Sequence, residues 1–267
     1  IAKYQAIKQG LMHDLFTRGL WTRPELDRGD HKGLPCDSTA QEGQLRPPPE
    51  EAPALYQDSP LGMIPKAWEF KPLDEHVRII DCKHYTPEFR EDGYIFVRPR
   101  NVKVDGLDLE SIDYVSEKDF RLLTDIYRPR RGDIVFSRNA SFGVPCYVDI
   151  DTPFAIGQDV VIMAPKSSNT RFVFAALTSN LITGQIAKVS AGSTFGRINL
   201  SEIRKLQVPQ PDRQEQEQVA TRFDSADSLL RQHKIELAKL RQQKQGLMHD
   251  LLTGRVRVEE PKDIPHD

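Results

Sequence analysis

The chain has 267 residues, of which 38 % are hydrophobic and 28 % charged, with a formal net charge of −2. That length builds one or two domains with a real core, and the near-neutral charge excludes both a polycation that holds nucleic acid by bulk attraction and a disordered acidic chain. No apolar run approaches the ~18 residues of a membrane span, no signal peptide is visible, and three widely spaced cysteines, Cys36, Cys82 and Cys146, read as free thiols of a reducing, cytoplasmic compartment.

Residues 1–19 have a helical pattern, with Tyr4, Leu11 and Leu15 on one face. The chain opens inside this pattern at Ile1, which reads as a piece of a longer polypeptide. Residues 20–58 lose periodicity, and Pro35, Pro47, Pro48, Pro49 and Pro53 predict a stiff linker crossing a surface. Residues 59–210 alternate β-rich runs (94–97, 133–136, 145–148, 159–163) with glycine turns, and residues 170–189 have helical spacing with Gly184 as the weak point. The expected fold class is α+β: a globular domain with a mixed or antiparallel sheet and short helices, followed by one long coiled-coil helix over 211–254 and a tail over 255–267. In that helix Phe223, Ala226, Leu230, His233, Leu237, Leu240, Lys244, Leu247 and Leu251 recur at spacings of three and four, a heptad seam. Asp212 is its expected N-cap, and Pro209 and Pro211 forbid an earlier start. At 1.5 Å per residue the helix is roughly 60 Å long, too long to bury its stripe without a partner helix.

Residues 2–17 (AKYQAIKQGLMHDLFT) return as 238–253 (AKLRQQKQGLMHDLLT), with 11 of 16 positions identical and KQGLMHDL copied whole. The repeat does not tile the chain, so it is no solenoid; two like segments bracket unlike residues. Both copies carry the same seam. Seam packing alone does not fix the other identities, so Gln9, His13 and Asp14, with Gln245, His249 and Asp250, are expected to be read by a partner subunit. Leu230, Leu237, Leu240, Leu247 and Leu251 are the expected helix-pairing residues.

No catalytic set emerges. The seven histidines fall in no HExxH and beside no paired cysteines, so no metal site is expected, and neither GxxxxGK[ST] nor GxGxxG is present. Residues 60–210 hold 20 Lys/Arg against 19 Asp/Glu, so a nucleic-acid face has to come from local placement. Arg98, Arg100 and Asn101 follow one strand; Arg130, Arg138 and Asn139 bracket another; Ser193, Thr194 and Arg197 lie in a glycine-rich loop. Arginine and asparagine suit bidentate contacts with guanine and adenine edges, and phosphates take further contacts.

At this point several segments resemble the DNA-specificity (S) subunit of Type I restriction–modification enzymes. SPLGMIPKAWEFKPL (59–73) looks like the entry to a target recognition domain, and IIDCKHYTPEF (79–89), YIFVRPRNV (94–102) and RRGDIVFSRNASFGVP (130–145) look like its inner blocks. AGSTFGRINLSEIRKLQVPQPDRQEQEQVA (191–220) is similar to its exit, and LRQQKQGLMHDLLTGRVRV (240–258) to the end of the conserved helix. The resemblance implies a non-enzymatic subunit that reads one half of a bipartite site in double-stranded DNA. It implies methyltransferase subunits that use S-adenosylmethionine, a restriction and motor subunit, and no cofactor in this chain. A complete S subunit has two recognition domains with antiparallel helices; one domain here implies a C-terminal half, or a short subunit that forms a homodimer through its helix. Two other readings are an adaptor without DNA readout and a fragment of a methyltransferase or nuclease.

Overall fold

The computed structural model describes residues 1–34, 39–138, 143–191 and 197–256. Its elements, in order, are α1 (Ala2–Thr17), α2 (Arg23–Arg28), β1 (Tyr56–Gln57), β2 (Ile64–Pro65), β3 (Glu69–Pro72), α3 (Leu73–His76), β4 (Val77–Asp81), β5 (Tyr94–Val97), β6 (Val102–Lys103), β7 (Gly106–Leu107), β8 (Asp113–Val115), α4 (Glu117–Leu123), β9 (Ile134–Ser137), β10 (Val144–Tyr147), β11 (Phe154–Ile156), β12 (Val160–Pro165), α5 (Thr170–Thr178), α6 (Asn180–Ala191), α7 (Leu200–Lys205), β13 (Gln207–Gln210) and α8 (Arg213–Leu252). The class is α+β, as the sequence predicts. By contacts the chain divides into residues 9–223 and a second unit of residues 1–8 with 224–267.

In the larger unit, β10-β9-β12-β4 form an antiparallel sheet, and β11-β5-β8 a mixed one with β11 parallel to β5. Strand side chains alternate faces with a period of two. Ile134 and Phe136 of β9, with Val161 and Met163 of β12, therefore join one core with Phe172, Leu177, Val219 and Phe223. Val135, Val160 and Ile162 point the other way, into a core shared with Val97, Phe154 and Ile156. Phe96 and Ala155 alternate once more, onto Phe120 and Leu123 of α4. The four-stranded sheet is covered on both faces, which is why its strands read as unbroken apolar runs rather than as alternation.

Residues 20–58 do more than cross a surface. Trp21 and Arg46 are each 1 % exposed, and Glu25 is 6 %. Thr22 and Glu25 form a capping box that starts α2, with Thr22 N donating to Glu25 Oε2 at 2.9 Å. Arg46 donates to Glu25 Oε1 and Oε2 at 2.8 Å and to Glu215 Oε1 at 2.7 Å. Glu215 also accepts from Trp68 Nε1 at 2.8 Å and from Leu20 N. Burial works against the charge of Arg46, and the two carboxylates outweigh it, so its pKa is raised. The missing signal was periodicity: one buried arginine fixes this segment, and no repeat announces it.

The single helix expected over 170–189 is two, α5 and α6, bent by 64°. The break falls at Ser179, not Gly184. Ser179 is extended (φ −76°, ψ 157°), its hydroxyl donates to Ala176 O at 2.6 Å, and its carbonyl accepts from Ile182 N and Thr183 N. A serine that bonds the backbone offers the chain an alternative to the helical ladder.

In α8, Glu215 N donates to Asp212 Oδ1 at 2.8 Å, which is the expected N-cap. Leu11, Met12, Leu15 and Phe16 of the first repeat copy pack into or against the core, with Leu15 0 % and Phe16 1 % exposed. Met12, identical in both copies, is 6 % exposed and belongs to this core. In the smaller unit Tyr4 stacks on His233 with centroids 4.2 Å apart, and Lys8 pairs with Asp227, so the start of α1 runs antiparallel to α8. Leu230 is 7 % exposed. Farther along, the second copy is open: Leu247 is 60 % exposed, Met248 49 % and Leu252 82 %. Among the described residues no single helix is long and apolar enough to cross a membrane.

Candidate nucleic-acid interface

The sequence Arg98-Pro-Arg-Asn101 folds into a tight 3₁₀ turn over Pro99–Asn101 because Pro99 presets φ and Asn101 closes the turn. Asn101 is fully buried. Its Oδ1 accepts from Arg98 N at 3.0 Å, and its Nδ2 donates to Asp108 O at 3.1 Å and Ser111 O at 3.3 Å. This corrects the expectation that Asn101 reads a base: its amide is spent on the backbone. Asn101 instead turns the two flanking arginines outward.

Arg98 and Arg100, with side chains 42 % and 49 % exposed, lie 3.2 Å and 2.9 Å from the same Asp113 Oδ2. Two guanidinium charges share one carboxylate, so one positive charge is left in excess. They line a cavity of about 370 Å³ with Tyr85, Thr86, Phe89, Gln158 and Asp159. Arg98 lies 5.4 Å from the Phe89 ring centroid, a cation–π distance. Tyr85 OH donates to Asp119 Oδ1 at 2.8 Å. That bond raises the tyrosine pKa, and together with the Ser116 hydroxyl, the larger cause, it holds Asp119 below the usual carboxylate range.

Asp159 gathers the more distant arginines. Its carbonyl accepts from Arg138 N at 2.7 Å, and its carboxylate lies 2.8 Å from Arg197 Nε. Arg138 itself is 5 % exposed, donating from Nη1 to Asp81 Oδ1 at 3.1 Å and from Nε to Ile198 O at 3.2 Å. Arg138 is therefore corrected from a base reader to a strut beneath the cavity rim. Arg130 is exposed and stands apart from the cavity lining, its backbone N donating to Asp133 Oδ2 at 2.9 Å. Burial pushes the Asp133 carboxyl pKa up. Asn139, Ser193 and Thr194 lie outside the described residues.

The model of the Type I restriction modification DNA specificity domain matches residues 65–241, well over half of the chain and inclusive of this cavity. The chain belongs to that family. Among relatives of this specificity family, the MjaVIII specificity subunit of Methanocaldococcus jannaschii is 25 % identical over 259 residues, covering 94 % of this chain and 54 % of the relative. The putative MjaX specificity subunit of the same organism is 23 % identical over 229 residues, covering 79 % and 53 %. The chain spans about half the length of the curated relatives it matches. The crystal structure of an S subunit from M. genitalium shares the fold, with a TM-score of 0.54 at 14 % identity over 92 % of this chain and 53 % of that one.

Within this specificity domain, the sequence-chosen Arg98, Arg100 and Arg197 gather at the cavity or on Asp159 at its rim. Sequence reading missed Tyr85, Phe89, Asp113 and Gln158. HYTPEF carried a usable signal, two aromatics framing a short polar run; Asp113 and Gln158 carried none. Among the described residues no His/Cys/Asp/Glu group is placed to hold a metal ion. Cys82 and Cys146 are buried and free, and burial pushes the Cys146 thiol up to about 12, well away from a reactive thiolate. Of the six residues expected to meet a partner, Gln9, His13, Gln245 and His249 are exposed, and Asp14 and Asp250 are half-buried.

Proposed function

We propose that this chain is a sequence-specific DNA-reading subunit of a Type I restriction–modification complex. One observation carries the reading: a rigid turn sets Arg98 and Arg100 side by side at a 370 Å³ cavity inside the family-matched domain. Paired, half-exposed arginines on a shared carboxylate can exchange that carboxylate for DNA phosphate. An adaptor without DNA readout needs no such turn.

In this reading the chain reads one half of a bipartite site and is not itself an enzyme. S-adenosylmethionine belongs to methyltransferase subunits, and the restriction and motor subunit joins the same assembly. The second KQGLMHDL copy supports a two-part frame. Its apolar side is open, whereas the first copy is covered by the core of a recognition domain. An equivalent domain, in a longer chain or in a second copy of this one, would cover it. Gln9, His13 and Asp14, with Gln245, His249 and Asp250, then form two like docking faces for methyltransferase subunits. Leu230, Leu237, Leu240, Leu247 and Leu251 supply helix pairing.

The test is selection from randomised duplexes by the full chain, alone and co-expressed with a methyltransferase subunit. Enrichment of one defined motif is the expected result. Binding without sequence preference in both arms refutes the reading.

A further inference from the structure

The turn between β11 and β12 is unusual. Asp159, with φ +64°, is the one non-glycine residue with positive φ among the described residues. A left-handed residue in mid-turn persists only where its surroundings hold it, and such residues gather at functional sites. Four anchors hold this one. Arg138 N donates to the Asp159 carbonyl at 2.7 Å, Arg197 pairs with its carboxylate at 2.8 Å, Gly157 N donates to Val97 O at 2.8 Å, and Val160 N closes the turn on Gly157 O at 3.3 Å. Gly157 also lies flush on Phe96: an added Cβ would come within 2.8 Å of the ring.

So firmly held a turn presents one side chain. Gln158 is exposed, on the wall of the cavity that Arg98 and Arg100 line. Among the described residues its one hydrogen bond is long, 3.4 Å from Nε2 to Thr86 Oγ. Its amide therefore carries a donor and an acceptor side by side that the protein barely uses. That pair matches adenine N6 and N7 in a major groove. The neighbouring guanidinium groups suit phosphates, which fix position but not sequence. Asp159 cannot share the task, because its carboxylate is committed to Arg197 and repels DNA.

We infer that Gln158 is a specificity-determining residue that reads an adenine from a turn braced by Arg138 and Arg197. The inference rests on the DNA-reading function proposed above. The test repeats selection from randomised duplexes with the full chain and its methyltransferase partner, comparing wild type, Gln158→Ala and Gln158→Arg. A thermal melt of each protein accompanies the selection, and an exposed turn residue should leave it unmoved. The wild type is expected to require adenine at some position. Gln158→Ala should lose discrimination at that position alone, by roughly 5- to 150-fold, and Gln158→Arg should shift its preference toward guanine. A Gln158→Ala protein that keeps the whole wild-type motif overturns the inference and leaves the function standing. Equal weakening on every sequence also overturns it, making Gln158 a phosphate contact. A wild type that selects no motif overturns the proposed function and this inference with it.

Discussion

Replacing Arg46 by methionine removes the one cation from a buried cluster. The guanidinium is 2 % exposed, 2.7 Å from Glu215 and 2.8 Å from Glu25, whose side chains are 2 % and 8 % exposed. Deleting one partner of a buried pair costs about 3–5 kcal/mol, because the other charge stays behind without compensation. Here one guanidinium serves two carboxylates. Against that, Glu215 keeps Trp68 Nε1 and Leu20 N, and Glu25 keeps the Thr22 amide and hydroxyl. A loss of about 4 kcal/mol follows, a large share of the 5–15 kcal/mol that holds a typical domain. The loss depends on pH. Burial already raises the Glu215 pKa above its ordinary 4.5 with Arg46 present, and removing the cation raises it further. A carboxyl with a raised folded pKa destabilises the fold as pH rises through the window from 4.5 to its folded value, and the destabilisation is absent below that window. Urea melts followed by circular dichroism at about pH 7.5 and about pH 5 give both numbers. The deficit should be near 4 kcal/mol (about threefold the 1.4 kcal/mol of a tenfold change) at the higher pH and smaller at the lower. A deficit below about 1 kcal/mol at pH 7.5, the size of a surface pair, refutes the reasoning, as does one that fails to shrink in acid.

Replacing Arg98 and Arg100 together by alanine should weaken DNA binding on all sequences and lower the slope of log K against log salt by about 1.8; a titration at several salt concentrations checks this, and an unchanged slope removes them from the phosphate contacts. Leu247→Asp with Leu251→Asp should abolish self-association or partner association without moving the melting temperature, since both side chains are exposed; light scattering and pull-down decide, and unchanged assembly rejects the role given to the second repeat copy. Burial holds the His76 pKa below its ordinary 6.5, so the unfolded chain takes up a proton that the folded one refuses. Stability on this account is full above about pH 6.5 and falls as pH drops below it. Because His76 Nδ1 lies 2.8 Å from Ser168 Oγ, His76→Gln keeps a hydrogen-bonding group there while abolishing the titration. Wild type should lose more stability than the variant between about pH 7.5 and about pH 5.5, and equal losses would count against this account.

Much of the fold was legible in periodicity. Tyr94–Val97, Ile134–Ser137 and Val160–Pro165 announced themselves as β-branched and aromatic runs, and Asp212 marked the start of the long helix. Features held by single polar side chains were not legible. Arg46 in a proline-rich stretch looked like linker, because nothing local shows that Glu25 and Glu215 converge on it. Ser179, rather than Gly184, breaks α5 from α6, because a backbone-bonding hydroxyl outweighs a glycine that meets open space. At the cavity, residue type identified the arginines but not their roles. Arg98 and Arg138 both follow strands, yet one faces solvent and the other Asp81, a difference set by tertiary packing alone.

The β3–β13 ladder carries a further consequence. Glu69 to Pro72 pair with Gln210 to Gln207, strand beside strand. Residues 73–206, which hold both large sheets and the whole cavity, thus leave and return through one narrow gate. A foreign segment grafted between these two strands has to satisfy only the gate and the apolar faces that α1 and α8 lay against it. The octapeptides outside the gate are untouched by such a graft. On the function proposed above, a new DNA preference is acquired as a cassette, in one recombination, and the assembly role proposed for the octapeptides is inherited unchanged.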